Sequence, residues 1–244
     1  MEENNQKEPG APTESSQSEP RSSAFDLEAT VNDAVRVIMD PRAFYREMPT
    51  SGGFMKPLVF VVFMAAVMGL FMTIMAVVGF GAQALVPGIG ALIFMPIFIG
   101  IFSFVGAAVM FVIWKLMGSE RGYQTAYRCV AYSTAVLPVV GVANLVPYLG
   151  TVVSVAWGMY LMAMASIEVH HRKRETAYAV CAVLGLVLLI MNVANERESR
   201  RMRAQIEQFQ QSVEGMTPEE AGRAFGEFLQ GLEESMDEQS EEEN

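Results

Sequence analysis

Arg128 and Glu168 are the residues of this chain best placed to do chemistry together. Each lies 20 positions from Tyr148, which sits in an uncharged turn, Asn144 to Gly150, between two apolar segments. A helix rises about 1.5 Å per residue, so both side chains fall about 30 Å from the turn and at equal depth. Three readings stay open: two polar residues snorkelling to an interface, a structural ion pair, or a substrate or proton site. Gln124 and Tyr132 flank Arg128 at helical spacing and make this the most polar corner of the apolar region.

Other residues of reactive type are less well placed. His170 and His171 precede Arg172, Lys173 and Arg174, but adjacent helical residues point about 100° apart. No carboxylate cluster completes a metal site there, and the basic run is read as a contact for anionic headgroups. Met64, Met68, Met72 and Met75 share a helical face. Thioethers suit cuprous ion, yet no His or Cys joins them, so the row reads as packing. Cys129 and Cys181 both fall in apolar segments, as buried small side chains do, and form neither a disulfide framework nor a metal knuckle. Ser103, Ser133, Ser154 and Ser166 lack a basic partner and read as helix-to-helix hydrogen bonders. Without a His-Glu-x-x-His helix, a Gly-x-Ser-x-Gly elbow or a phosphate loop leading to Lys, no catalytic residue, cofactor or metal is expected.

The elements that must position these residues follow from apolar run lengths. Pro57 to Trp114 is 58 residues without one charge, bracketed by Lys56 and Lys115. As one helix it would reach roughly 87 Å against a hydrocarbon core of about 30 Å, so it must cross, turn and cross back. Gly and Pro residues between Gly79 and Gly90 mark the turn. Three further apolar segments follow. The expected fold is an all-α integral membrane protein with transmembrane helices at about 57–78, 91–117, 123–143, 151–169 and 176–194. Gly100, Ser103 and Ala107 give the second span a small-residue face on which the polar third span can dock, and Pro96 is a candidate kink.

Composition agrees. Of 244 residues 52% are hydrophobic, and the net charge of −10 is unevenly spread. Residues 1–50 sum to −5, 51–195 to +4 and 196–244 to −9. A mildly cationic apolar middle between acidic tails describes a membrane protein and argues against nucleic-acid binding. The polar segment 1–24 and the acidic end 237–244 are expected to be disordered. No cleavable signal peptide is expected at the acidic N-terminus.

Residues 25–49 form amphipathic interfacial helices. Leu27, Val31, Ala34, Val35 and Ile38 recur at helical spacing, and Asp40-Pro41 caps a second short helix carrying Phe44 and Tyr45. This pair is either a packing collar on the membrane domain or a partner-binding element. Pro49 to Gly53 is the flexible joint into the first span. Residues 196–236 form an amphipathic helical tail, with Met202, Ile206, Phe209, Val213 and Met216 as an apolar seam and Thr217-Pro-Glu-Glu220 as a capping box. The tail packs on itself or on a protein partner, and a homo-oligomer is left open.

Lys and Arg fix orientation. Arg42, Arg46, Lys56, Lys115, Arg121 and Arg172 to Arg174 flank one side of the spans, whereas the two opposite loops hold neither residue. The N-terminus is therefore cytoplasmic, and five crossings put the C-terminus on the opposite side. Arg197, Arg200, Arg201 and Arg203, just past the fifth span and partly offset by Glu196 and Glu198, oppose this: either the tail is translocated despite them, or the fifth span does not fully cross.

Residues 38–194 resemble the Yip domain family, polytopic membrane proteins named for interaction with Ypt/Rab GTPases. The resemblance rests on Asp40-Pro41-Arg42-Ala43-Phe44-Tyr45-Arg46-Glu47-Met48, typical of the prokaryotic branch, on Gly122-Tyr123 leading into the third span, and on Ala131 to Pro138. It implies a five-helix membrane domain with a cytoplasmic N-terminus, lying in the cytoplasmic membrane if prokaryotic. For eukaryotic members it implies non-catalytic roles in vesicle trafficking and membrane shaping. The Asp-Leu-Tyr-Gly-Pro element of those members is absent here, which detaches GTPase binding from the expectation. The sequence thus points to a non-enzymatic membrane scaffold or adaptor. The alternative is a small-solute transporter or channel subunit using the polar face of the third span.

Overall fold

The computed structural model describes residues 26–80 and 85–213, together with the isolated positions 217, 220, 222, 225 and 226. The segments expected to be disordered, 1–24 and 237–244, lie outside the described residues. The described elements are helical. Helices α1 (Leu27–Met39) and α2 (Pro41–Glu47) precede α3 (Met55–Phe80) and α4 (Leu85–Leu116); then come α5 (Tyr123–Ser133), a 3₁₀ turn (Thr134–Val136), α6 (Leu137–Ala143), α7 (Leu149–Glu168) and α8 (Arg174–Val213). Among the described residues five units are long and apolar enough to cross a membrane: α3, α4, α5 to α6 as one broken span, α7, and α8.

The first turn is tighter than the Gly and Pro pattern suggests. Helix α3 continues through Gly79, and α4 already includes Pro87, Gly88 and Gly90. Proline is tolerated in a first helical turn, where its missing N–H costs nothing. Gly88 serves close approach, since a Cβ there would lie 2.6 Å from Thr73 Cγ2. The Thr73 hydroxyl donates to the carbonyls of Gly69 at 2.8 Å and Gly88 at 2.9 Å, which locks the hairpin. Helix α4 remains continuous across Pro96.

The third span is broken near its middle. Pro138 lacks the N–H that an α-helix needs, and the backbone tightens into the 3₁₀ turn just before it. Ser133 and Thr134 spend their hydroxyls on the carbonyls of Val130 and Ala131, at 2.7 and 2.6 Å. Polar backbone freed at membrane depth is thereby re-satisfied. The small-residue face of α4 works as expected: Ala107 packs with Val61, Tyr127 and Ala131, and Ser103 lies 3.4 Å from the Tyr127 hydroxyl.

Helix α8 runs beside α7 to the far turn and beyond. Glu196 there accepts from the Tyr148 backbone N–H at 3.0 Å, from the Thr151 hydroxyl, and from Arg200 at 2.7 Å. Arg200 also lies over the Tyr148 ring at 5.1 Å, and Arg201 pairs with Glu198 at 3.8 Å. The arginines past the fifth span are thus partly neutralised within their own helix. Beyond α8, Thr217 and Glu220 exchange hydrogen bonds as a capping box. Met216 and the side chain of Phe209, part of the apolar seam, lie outside the described residues.

Candidate functional site

The elements before the first span close over the end of the bundle that carries Lys56. Asp40 accepts from Ala43 N–H at 3.1 Å and Pro41 occupies the first turn, so α2 starts where the sequence says it should. That start places Arg42 and Arg46 one turn apart on one face. Both reach Glu168 at the end of α7, at 3.0 and 3.1 Å, where the carboxylate is largely shielded from solvent. The hydrogen bond and charge of Glu168 raise the Arg46 pKa above its ordinary value. Tyr45 is buried and donates to the Cys129 carbonyl at 3.1 Å. Phe44 and Phe60 meet the Tyr132 ring edge-on at 5.0 and 4.9 Å.

Glu168 is therefore taken by α2, and Arg128 has other partners. Only 3% of Arg128 is exposed. Its Nη1 donates to the Gly53 carbonyl at 3.1 Å, and no group among the described residues accepts from its Nε. Helical rise fixes depth but leaves azimuth open, and two arginines from outside the spans hold Glu168. Pro49 to Gly53 is correspondingly not a loose joint. Thr125 donates to the Thr50 carbonyl at 2.9 Å, and Gly52, at φ +113°, holds a conformation that suits glycine while the chain passes over Arg128. Gln124 is half-buried on the first turn of α5.

The apolar face assigned to α1 divides in two. Ala34 and Val37 are buried and Ile38 packs against the core, whereas Leu27, Val31, Val35 and Met39 point outward, Met39 at 80% exposure. Asp33 and Arg36, on another side of α1, line a cavity of about 130 Å³ with Glu47, Lys56, Arg128 and Tyr132. Arg36 and Glu47 pair with each other there. Burial outweighs the nearby Lys56 and Arg36 and raises the Asp33 pKa.

A second polar cluster was not legible as a site. His170 is buried against Trp114, with ring centroids 3.9 Å apart and nearly parallel. Its Nδ1 is 2.7 Å from Ser119 Oγ and its Nε2 is 4.0 Å from Cys129 Sγ. Trp114 Nε1 donates to Ser166 Oγ at 2.7 Å. Burial, then the charges of Arg121, Arg172, His171 and Lys115, push the His170 pKa down to about 3. A serine, a neutral imidazole and a thiol have the types of a nucleophilic set, but all are enclosed by packed side chains. They tie the ends of α4 and α7 together. His171, at φ +53°, turns away toward Arg121 Nη2 at 3.2 Å. Arg172 donates to the Met117 and His170 carbonyls at 2.9 and 2.8 Å, so it closes the loop, leaving Lys173 and Arg174 exposed. The nearest sequence signal was a tryptophan ending an uncharged span, and its partners lie about fifty positions away.

The remaining residues of the family-like segments have defined places. Gly122 opens α5 in extended conformation, the Tyr123 hydroxyl donates to the Phe104 carbonyl at 2.8 Å, and Pro138 starts α6 after the break. A family model of the Yip1 domain matches residues 35–194, from the middle of α1 through the apolar part of α8. The chain belongs to the Yip1 domain family. No curated protein and no solved structure matches it. As a Yip1-domain protein it is an all-α, multi-pass integral membrane protein in contact with the lipid bilayer. The matched segment joins half of α1 and all of α2 to the five spans, in agreement with their packing as one unit. Within it, an apolar cavity of about 400 Å³ between α7 and α8 is walled by residues such as Val152, Met159, Tyr178 and Leu186 and offers no charged group.

Proposed function

We propose that this Yip1-domain protein is a non-enzymatic membrane scaffold or adaptor, with its N-terminus in the cytoplasm and its C-terminus on the opposite side. The carrying observation is the outer stripe of Leu27, Val31, Val35 and Met39 on α1. A helix locked to the bundle through α2, Glu168 and Tyr45 presents an apolar row that none of the described residues covers. Rigid display of apolar surface at the rim of a membrane domain suits protein recognition and needs no chemistry at the centre. The reach of α8 past the far turn supports a full fifth crossing, and the basic residues clustered at the Lys56 end support the orientation. The C-terminal tail offers a further contact surface, and the exposed Lys173 and Arg174 suit anionic headgroups. Organisation of the membrane, or a trafficking-like process, is the setting this reading implies.

The break before Pro138 favours a second reading, a small-solute transporter or channel subunit, because discontinuous helices often line substrate sites. One pair of experiments separates the two. Replacing Val31, Val35 and Met39 by Ser should release partners that co-purify in mild detergent while the membrane domain stays folded. Solute flux in proteoliposomes that depends on Gln124 or Arg128 would establish transport in place of the scaffold. Protease access to a C-terminal tag tests the topology.

A further inference from the structure

Among the described residues, the lining of the cavity between α1, α2 and α5 carries more positive than negative charge. Among its lining residues Arg36 and Glu47 cancel, which leaves Lys56 and Arg128 facing Asp33. Glu168, at the end of α7, is held by Arg42 and Arg46. A guanidinium stays charged at any physiological pH, and enclosing one without an acceptor for each donor is costly. One donor of Arg128 is met by the Gly53 carbonyl, while Nε is enclosed without an acceptor among the described residues. The side chain is held in place by the 49–53 segment above it, so it is presented in a fixed orientation. At about 30 Å³ per water, the space of about 130 Å³ admits several heavy atoms.

We propose that this cavity, whose wall includes Tyr132, is a phosphate-binding site in which Arg128 and Lys56 hold the oxygens of a phosphate group. The planar fork of arginine matches phosphate geometry, and a lysine ammonium adds an adaptable point charge at the mouth. Lys56 stands where α3 enters its apolar stretch, so the site opens at the level of lipid headgroups. The same chemistry would accept the phosphate of a lipid headgroup or free inorganic phosphate. This site is independent of the scaffold reading.

The test uses the full chain purified in mild detergent and reconstituted in phosphatidylcholine vesicles with or without phosphatidate, and separately titrated with inorganic phosphate. Bound phosphatidate per protein and the phosphate-dependent rise in Tm are read. Arg128→Gln should weaken binding about tenfold or more, as loss of a charge-assisted bond predicts. Lys56→Gln, an exposed position, should weaken it several-fold with the Tm of the ligand-free protein unchanged. If Arg128→Gln does not fold, Lys56→Gln decides alone. Phosphatidate dependence on Lys56 assigns a lipid source; a response to inorganic phosphate alone, with the same dependence, assigns a free one. Binding of neither probe, or binding that follows Lys173→Gln but not Lys56→Gln, overturns the proposal.

Discussion

The first hairpin, α3 with α4, and the second, α5 to α7, are built from opposite materials. The first is uncharged from Pro57 to Trp114, yet only 33% and 28% of an 18-residue apolar stretch in its two spans is buried. The third span carries Gln124, Arg128 and three tyrosines, and 56% of its corresponding stretch is buried. In water, apolar residues would go inside; in a bilayer the solvent is itself apolar, and polar groups need enclosure by protein. The second hairpin therefore forms the centre of the bundle and receives α1, α2 and the loops at the Lys56 end. The first serves as packing and lipid-facing wall.

Substitutions can break this contrast. Trp114, at the end of the first hairpin, is buried against the second through Ser166 and His170. Trp114→Ala should cost about 3–5 kcal/mol, read as a large fall in Tm in detergent. A pH series probes the same cluster. The His170 pKa is depressed from the ordinary 6.5 to about 3, so the unfolded chain binds the extra proton first. Stability is complete above about pH 6.5 and falls as pH drops, by about 2 kcal/mol at pH 5. His170→Gln should flatten the Tm profile in that window. Tyr45→Phe removes one buried hydrogen bond to the second hairpin and should cost about 1 kcal/mol. Phe98→Ala, on the lipid-facing side of α4, should cost below about 0.5 kcal/mol, because lipid tails solvate either side chain.

The parts legible in the sequence are those set by local rules. Run lengths gave the spans, Asp40-Pro41 gave the start of α2, and Thr217 to Glu220 gave a cap, each needing only residues a few positions apart. The first turn was drawn too wide because Gly88 and Pro87 were read as breakers, whereas Thr73 makes use of Gly88 for contact. An Arg128–Glu168 pair was one of three open readings because helical rise fixes only depth, while the partners of Glu168 lie more than a hundred positions away in a segment outside the spans. His170 was passed over for the same reason: a histidine next to basic residues looks solvated until Trp114 covers it.

The packing of α2 on α7 underlies the candidate site, the displayed face of α1 and the cavity alike. Hydrogen–deuterium exchange of residues 27–47 tests it most directly in Arg42→Glu/Arg46→Glu, with and without Glu168→Arg. The predicted result is a rise of exchange in the double variant that Glu168→Arg reverses, while Arg128→Glu gains nothing from Glu168→Arg. Unchanged exchange in the double variant, or rescue of Arg128→Glu by Glu168→Arg, would contradict the account.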